Sequence, residues 1–230
     1  PSPAADEDAT LELRDCAVNG TVLTVVRRAG DANRTTADAA SDDDRRPVTV
    51  LLHNVALRPG VAGGCSGGVV AMTGDVTVVV DGGTVVDDAC AAGGPNRTLL
   101  AAVGVRPPTN ATPVRNVAIV VRGQSRLSAN NSAADGAALA AGVLSRNGSV
   151  ANVSVELEDA AATAVARRAA AACGVVGDPA AMGTAHVMVG LRLTAARSAV
   201  WAEATDPDRG SSSKSSAAAA VGAAAAAHGT

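Results

Sequence analysis

The segment Gly64-Cys65-Ser66-Gly67-Gly68 has the G-x-S-x-G spacing that, in serine hydrolases, lifts a nucleophilic hydroxyl onto a turn between a strand and a helix. The flanks do not supply that setting: Pro59 to Gly63 is not strand-like, and Val69 onward is. A nucleophile at Ser66 would also require His53 or His186 as base and a carboxylate to orient it. A carbohydrate-active enzyme would instead need acid and base carboxylates on one face. Asp75, Asp81, Asp87 and Asp88 lie in or near strand-like runs, but no Asn-Thr-Asp or Gly-His-Gly motif accompanies them, and Asp87 and Asp88 read as turn residues. Asp206-Pro207-Asp208-Arg209-Gly210 resembles the start of a calcium loop, yet the further acidic ligands and a distal Glu are missing, so it reads as a solvated turn. No two cysteines have C-x-x-C spacing, and His53, His186 and His228 are scattered, so no metal site emerges. No catalytic residue and no cofactor is inferred.

Asparagine carries a stronger signal. Ten Asn residues are present, and seven begin an N-x-Ser/Thr acceptor: Asn19, Asn33, Asn96, Asn110, Asn130, Asn147 and Asn152. With Ser and Thr together at 32 of 230 residues, chance supplies one or two. The excess points to passage through a secretory lumen and to surface-exposed glycosylation sites. Pro113 follows the acceptor Thr112 and weakens Asn110, which leaves Asn19, Asn33, Asn96, Asn130, Asn147 and Asn152 as candidates. Cys16, Cys65, Cys90 and Cys173 are even in number and allow two disulfides, as suits a secreted protein. Cys65 and Cys90, about one coil apart in a stacked fold, are the first pair to consider, leaving Cys16 and Cys173.

The elements that must position these residues read as strands. Arg115-Asn116-Val117-Ala118-Ile119-Val120-Val121 recurs more weakly as His53-Asn54-Val55-Ala56-Leu57 and Ala151-Asn152-Val153-Ser154-Val155-Glu156-Leu157. In the last copy Val153, Val155 and Leu157 alternate with Ser154, Glu156 and Glu158, the period-two pattern of a half-buried strand. Val76, Val78 and Val80 alternate likewise, as do Val187, Val189, Leu191 and Leu193. Several strand-like runs start roughly 20 residues apart, within the range of solenoid repeats. A unit this short must stack on its neighbours to bury an apolar face. The expected fold is all-β: a right-handed parallel β-helix in which an Asn before each strand forms a ladder from coil to coil.

Composition agrees. Phe and Tyr are absent and Trp201 is the single Trp, so the core must be Val, Leu and Ala, and Val favours strands. One Lys and one Ile against 18 Arg also bear the mark of a GC-rich genome. A net charge of −3, no basic stripe and no aromatics for base stacking argue against nucleic acid as a partner. The chain opens with Pro1-Ser2-Pro3, without Met or an apolar leader, and is expected to be a processed form or a fragment.

Along the chain, residues 1–9 read as a flexible lead-in, 10–205 as one β-solenoid domain and 206–230 as a low-complexity, disordered tail. Ala160 to Cys173 is the misfit. Its alanines favour a helix, which Asp159 could cap as a short insertion near 160–173, or they fill narrow inward positions of short strands.

The Asn-Val-x-Val repeats, the opening Cys16-Ala17-Val18-Asn19-Gly20-Thr21, the run Gly74-Asp75-Val76-Thr77-Val78-Val79-Val80 and the many sequons resemble the dispersed gene family surface proteins of trypanosomes, over roughly residues 10–200. Those are very large Val- and Ala-rich glycoproteins with β-helical ectodomains and a C-terminal membrane region. The resemblance implies a cell-surface or secreted glycoprotein with a structural or adhesive role. Its partners would be host or matrix surface molecules, and membrane attachment would come only through parts of a longer parent chain. The family supplies no catalytic residue to transfer.

Overall fold

The computed structural model describes residues 9–20, 23–25, 47–59, 68–71, 75–89, 99–106, 114–133, 136–145, 150–167, 169–177, 188–205 and 217–224. They form a parallel β-solenoid with three six-stranded sheets. Sheet A contains β1 (Ala9–Arg14), β4 (Val48–His53), β7 (Val76–Asp81), β10 (Val114–Arg122), β13 (Val150–Glu158) and β16 (Met188–Ala196). Sheet B contains β2 (Ala17–Asn19), β5 (Ala56–Arg58), β8 (Val85–Ala89), β11 (Arg126–Asn131), β14 (Ala161–Ala166) and β17 (Ala199–Ala204). Sheet C contains β3 (Leu23–Val25), β6 (Val69–Ala71), β9 (Leu99–Val105), β12 (Ala137–Ser145), β15 (Ala169–Gly177) and β18 (Ala217–Ala224). Each coil contributes one strand to each sheet. Strand partners lie three elements apart in sequence, as in β4 with β7 and β7 with β10.

Positions paired across sheet A lie 28 residues apart between β4 and β7 and 41 apart between β7 and β10, so one coil takes between 28 and 41 residues. The spacing of roughly 20 between strand-like runs is therefore not the repeat, because each coil holds three strands. The equivalence of the three Asn-Val copies is also corrected. His53 pairs with Asp81, which places Asn54 at the corner between sheets A and B. Asn116 and Asn152 sit instead inside β10 and β13, near the start of sheet A.

Alternation builds the core. Leu11, Val50, Val78, Ile119, Val155 and Leu193 form one inward row across sheet A, and Leu13, Leu52, Val80, Val121, Leu157 and Ala195 form the next. Val18, Leu57, Val86, Leu127, Ala162 and Val200 oppose them from sheet B. Each interior member of these rows is buried. At about 25 cal/mol per Å2 of apolar surface removed from water, such rows are the main source of stability.

No helix occurs among the described residues, and the short helical insertion expected near 160–173 is corrected: that stretch supplies β14 and most of β15. Ala162, Ala164 and Ala166 point inward and are closed off, while Thr163 and Val165 face out. Helix propensity is overridden because the alanines of β14, and Ala169, Ala170 and Ala171 of β15, pair with a strand already laid down by the preceding coil. The stretch 206–230, expected to be a disordered tail, contributes β18, which pairs with β15; its other residues lie outside those described.

Sheet C is built differently. Residues 100–105, 137–144 and 169–176 are buried at every position. Inward residues such as Val103 and Ala141 join the main core, whereas Ala101, Leu139, Leu144, Ala171 and Val176 form a second cluster on the other face. Gly104, Gly142, Gly174 and Gly222 stack in register through this sheet. A Cβ on Gly142, whose φ is 147°, would lie 1.8 Å from the Gly174 carbonyl oxygen, so the coils close only with glycine there.

Candidate functional site

Where sheet A begins, three residues adopt left-handed backbone at successive coils: Asp75 (φ 51°), Asn116 (φ 52°) and Asn152 (φ 53°). Asp and Asn tolerate this region better than other residues with a Cβ. The distortion makes a stacked bulge, since Arg115 pairs with Ala151 and Val117 with Val153 while the Asn residues between them are skipped. Their side chains form a chain of hydrogen bonds along the solenoid axis. Asn116 Nδ2 donates to Asp75 Oδ1 at 2.7 Å, and Asn152 Nδ2 donates to Asn116 Oδ1 at 3.2 Å. Gly190 (φ 68°) continues the row, and a Cβ there would meet Asn152 Oδ1 at 2.9 Å. The Asn ladder expected from the sequence thus exists for Asn116 and Asn152, with Asp75 as its third member.

A cleft of about 480 Å3 runs beside this ladder, lined by Pro47, Asp75, Thr77, Asn116, Asn152 and Ser154 among others. Its polar groups are amides, hydroxyls and one carboxylate, repeating at the coil spacing of about 4.8 Å. They can donate to and accept from an extended ligand. None is a nucleophile beside a base.

A second ladder follows the corner between sheets A and B. Asn54 Nδ2 donates to Asp15 Oδ1 at 2.7 Å. The last outward row of sheet A reads Arg14, His53, Asp81, Arg122, Glu158 and Ala196. His53 Nδ1 lies 2.6 Å from Asp81 Oδ1, and Arg122 Nη2 donates to Asp81 Oδ2 at 3.3 Å. Burial works against ionisation of Asp81, but the hydrogen bonds and charges of His53 and Arg122 outweigh it and hold the carboxyl below its usual range. Arg197 donates from Nε to Asp159 at 2.7 Å and from Nη2 to Glu158 at 2.7 Å, which keeps Asp159 low and raises the guanidinium. Beneath this row, the corners Gly82-Gly83-Thr84 and Gly123-Gln124-Ser125 are one residue longer than the other four. Thr84 and Ser125 are wholly buried there: the Thr84 hydroxyl accepts from the Val55 N–H at 3.1 Å and donates to the Asp81 carbonyl at 2.6 Å, and Ser125 donates to the Arg122 carbonyl at 2.7 Å.

The four carboxylates considered for acid and base roles do not converge. Asp75 and Asp81 stand at opposite ends of β7, six residues and so about 20 Å apart along a strand; glycosidase pairs need about 5 to 9.5 Å. Asp87 faces outward from sheet B, and Asp88, 3% exposed, faces inward and accepts from the Ala101 N–H at 3.0 Å. They are strand residues, not turn residues. Trp201, 60% exposed, lies on sheet B, away from the cleft. Ser66, His186 and the loop at 206–210 lie outside the described residues, and no cluster of metal-ligating side chains occurs among those described.

Of the glycosylation candidates, Asn19 and Asn130 are exposed on sheet B and Asn152 is exposed in the sheet-A ladder; Asn33, Asn96 and Asn147 lie outside the described residues. Asn152 and Ser154, the ends of one sequon, both line the cleft. Cys16 and Cys173, the two left over from the first pair considered, are not joined to each other. They stand in the first and fifth coils, about 19 Å apart along the axis, where a disulfide needs Cα atoms within about 7 Å. Burial pushes the Cys173 thiol up to about 12, so it stays protonated and unreactive. Cys65 and Cys90 lie outside the described residues.

No protein-family model, curated protein or solved structure matches the chain. The likeness to trypanosome surface proteins accordingly rests on residue pattern alone. No helix among the described residues is long and apolar enough to cross a membrane.

Proposed function

We propose that this chain belongs to an extracellular or cell-surface glycoprotein with a structural or adhesive role, making contact along the outward face of sheet A. The Asp75–Asn116–Asn152 ladder and its cleft carry this reading. They offer a row of regularly spaced hydrogen-bonding groups with no reactive centre, an arrangement suited to holding an extended partner such as a surface or matrix glycan. The seven sequons support a secretory route, and the likeness to trypanosome surface glycoproteins supports the same setting, with host or matrix surfaces as partners and any membrane anchor in a longer parent chain.

The chain secreted from a eukaryotic cell should lose mass on enzymatic glycan removal and should adhere to cells or matrix. Replacing Asp75 and Asn116 together with Ala, which leaves the sequon at Asn152 intact, should lower adhesion several-fold while far-UV circular dichroism stays unchanged. An unmodified mass defeats the glycoprotein half of the reading. Adhesion indifferent to both substitutions defeats the assignment of the contact face.

A further inference from the structure

Among the described sequons, one differs in place from the others. Asn19 and Asn130 stand on sheet B, whereas Asn152 lines the cleft on sheet A together with its acceptor Ser154. The Asn152 amide is held along the solenoid axis. Its Nδ2 donates to Asn116 Oδ1 in the preceding coil at 3.2 Å. Its Oδ1 points the opposite way, toward Gly190 in the next coil, where a Cβ would come within 2.9 Å of it. The hydrogen used by the ladder is therefore the one antiparallel to the carbonyl, as in a trans peptide. The other amide hydrogen, beside the carbonyl, is the one a glycan replaces, because a secondary amide strongly favours the trans form. A sugar on Asn152 thus leaves the Asp75–Asn116–Asn152 ladder unbroken and stands at the edge of the cleft. Ser154, Ala118 and Thr77 form one outward row there, with steps of about 4.8 Å between coils. A glycan of a few sugars is long enough to overhang that row.

We propose that Asn152 is a glycosylation site whose own glycan covers the cleft, so that occupancy of this one sequon sets whether the contact face is open. The proposal rests on the reading of that cleft as the contact face. The transfer draws an oligosaccharide from a lipid-linked diphosphate donor. The bond from the sugar C1 to the phosphate oxygen breaks and a C1–Nδ2 bond forms. The lipid diphosphate leaves, and the amide gives up one proton to a base of the transferase.

The fold makes this occupancy variable. β13, which carries the sequon, is paired with β10 on one side and β16 on the other. A transferase reaches the Asn152 backbone only before these coils close, so sugar transfer and folding compete for the same strand. The secreted chain is then a mixture of covered and open forms.

Glycopeptide mass spectrometry on the full chain secreted from a eukaryotic cell tests this. Asn152 should be partly occupied. The fraction that adheres to cells or matrix should lack the glycan at Asn152, with Asn130 occupied equally in both fractions. Ser154→Ala removes the acceptor and leaves the Asn152 amide in place, and adhesion should rise several-fold. Asn130→Gln, on sheet B, should leave adhesion unchanged. Labelling of Ala118→Cys by a polymer-bearing maleimide, mapped to residue 118, reads the cover without any partner. That thiol should react several-fold faster when Ser154→Ala is added. An empty Asn152, or equal labelling with and without its glycan, overturns the proposal and leaves the contact-face reading standing. Equal adhesion of the Ser154→Ala and wild-type chains does the same. Faster labelling in a chain that adheres in no form supports the cover and defeats the contact-face reading instead. Should Ser154→Ala fail to fold by circular dichroism, an endoglycosidase that leaves one sugar on each Asn replaces it. Trimming the folded Ala118→Cys chain should then speed labelling, and trimming the wild-type chain should raise adhesion; no change in either overturns the proposal.

Discussion

Sheets A and C are laid down by the same coils, yet they solve burial in opposite ways. In sheet A, beyond the bulge at Asp75, Asn116 and Asn152, every second residue points at the core, and its neighbours face outward as Thr, Val, Ser, Glu and Arg. In sheet C both faces of β9, β12 and β15 are closed, and the sequence runs as Leu-Leu-Ala-Ala-Val, Ala-Ala-Leu-Ala-Ala and Ala-Ala-Ala-Ala-Cys without alternation. Parallel strands covered on both sides read as continuous apolar runs, and strands covered on one side alternate. Sheet C is covered on both faces, and sheet A leaves one face open to solvent.

That contrast can be broken most severely at Gly142. A side chain there collides with the Gly174 backbone, so Gly142→Val should abolish cooperative unfolding in urea, whereas Val79→Lys on the outward face of sheet A should change stability by no more than about 0.5 kcal/mol. Next comes Leu139, wholly buried in the second cluster. Leu139→Ala should cost about 2–5 kcal/mol in chemical denaturation, against less than about 1 kcal/mol for Val120→Ala on sheet A's half-exposed side. Equal costs would mean that sheet C is not covered on both faces. Thr84→Val, at the buried corner, keeps the volume but strands the Val55 N–H, and should cost about 1–3 kcal/mol.

The smallest effect is electrostatic. Asp81 has a folded pKa below its unfolded value of about 3.9, so its stabilising contribution is present above that value and disappears as pH falls through the folded pKa. Asp81→Asn should therefore lower stability at neutral pH and flatten the acid limb of a stability–pH profile. A profile parallel to wild type would show that His53 and Arg122 do not hold the carboxylate.

These differences explain what could be read from the residues beforehand. Val76, Val78 and Val80, or Val153, Val155 and Leu157, announce strands because one side is wet. The stretch 160–173 stayed ambiguous between helix and strand because alanine packed on both faces leaves no period, and only pairing with earlier coils resolves it. The ladder was half visible: Asn116 and Asn152 share a motif, but Asp75 fills the same position with a different side chain and Gly190 with none. Asn54 shared the motif and belongs elsewhere, since left-handed corners and left-handed bulges call for the same residue types. The alternation assigned to Val187, Val189, Leu191 and Leu193 fails at Gly190, whose positive φ leaves Val189 60% exposed while Leu191 turns inward. No signal marked the corner row of His53, Asp81, Arg122 and Glu158, whose members lie far apart in sequence.

The link from sheet A to sheet B is two or three residues in every coil, while the links that enter and leave sheet C run from two residues to 22. Inheritance can therefore act on this chain in whole coils. A duplicated coil enters without disturbing any existing row, whatever loop it brings along on the sheet-C side. Duplication of the coil that bears Asn116 or Asn152 would lengthen the ladder by one amide and about 4.8 Å, with no new side chain having to arise.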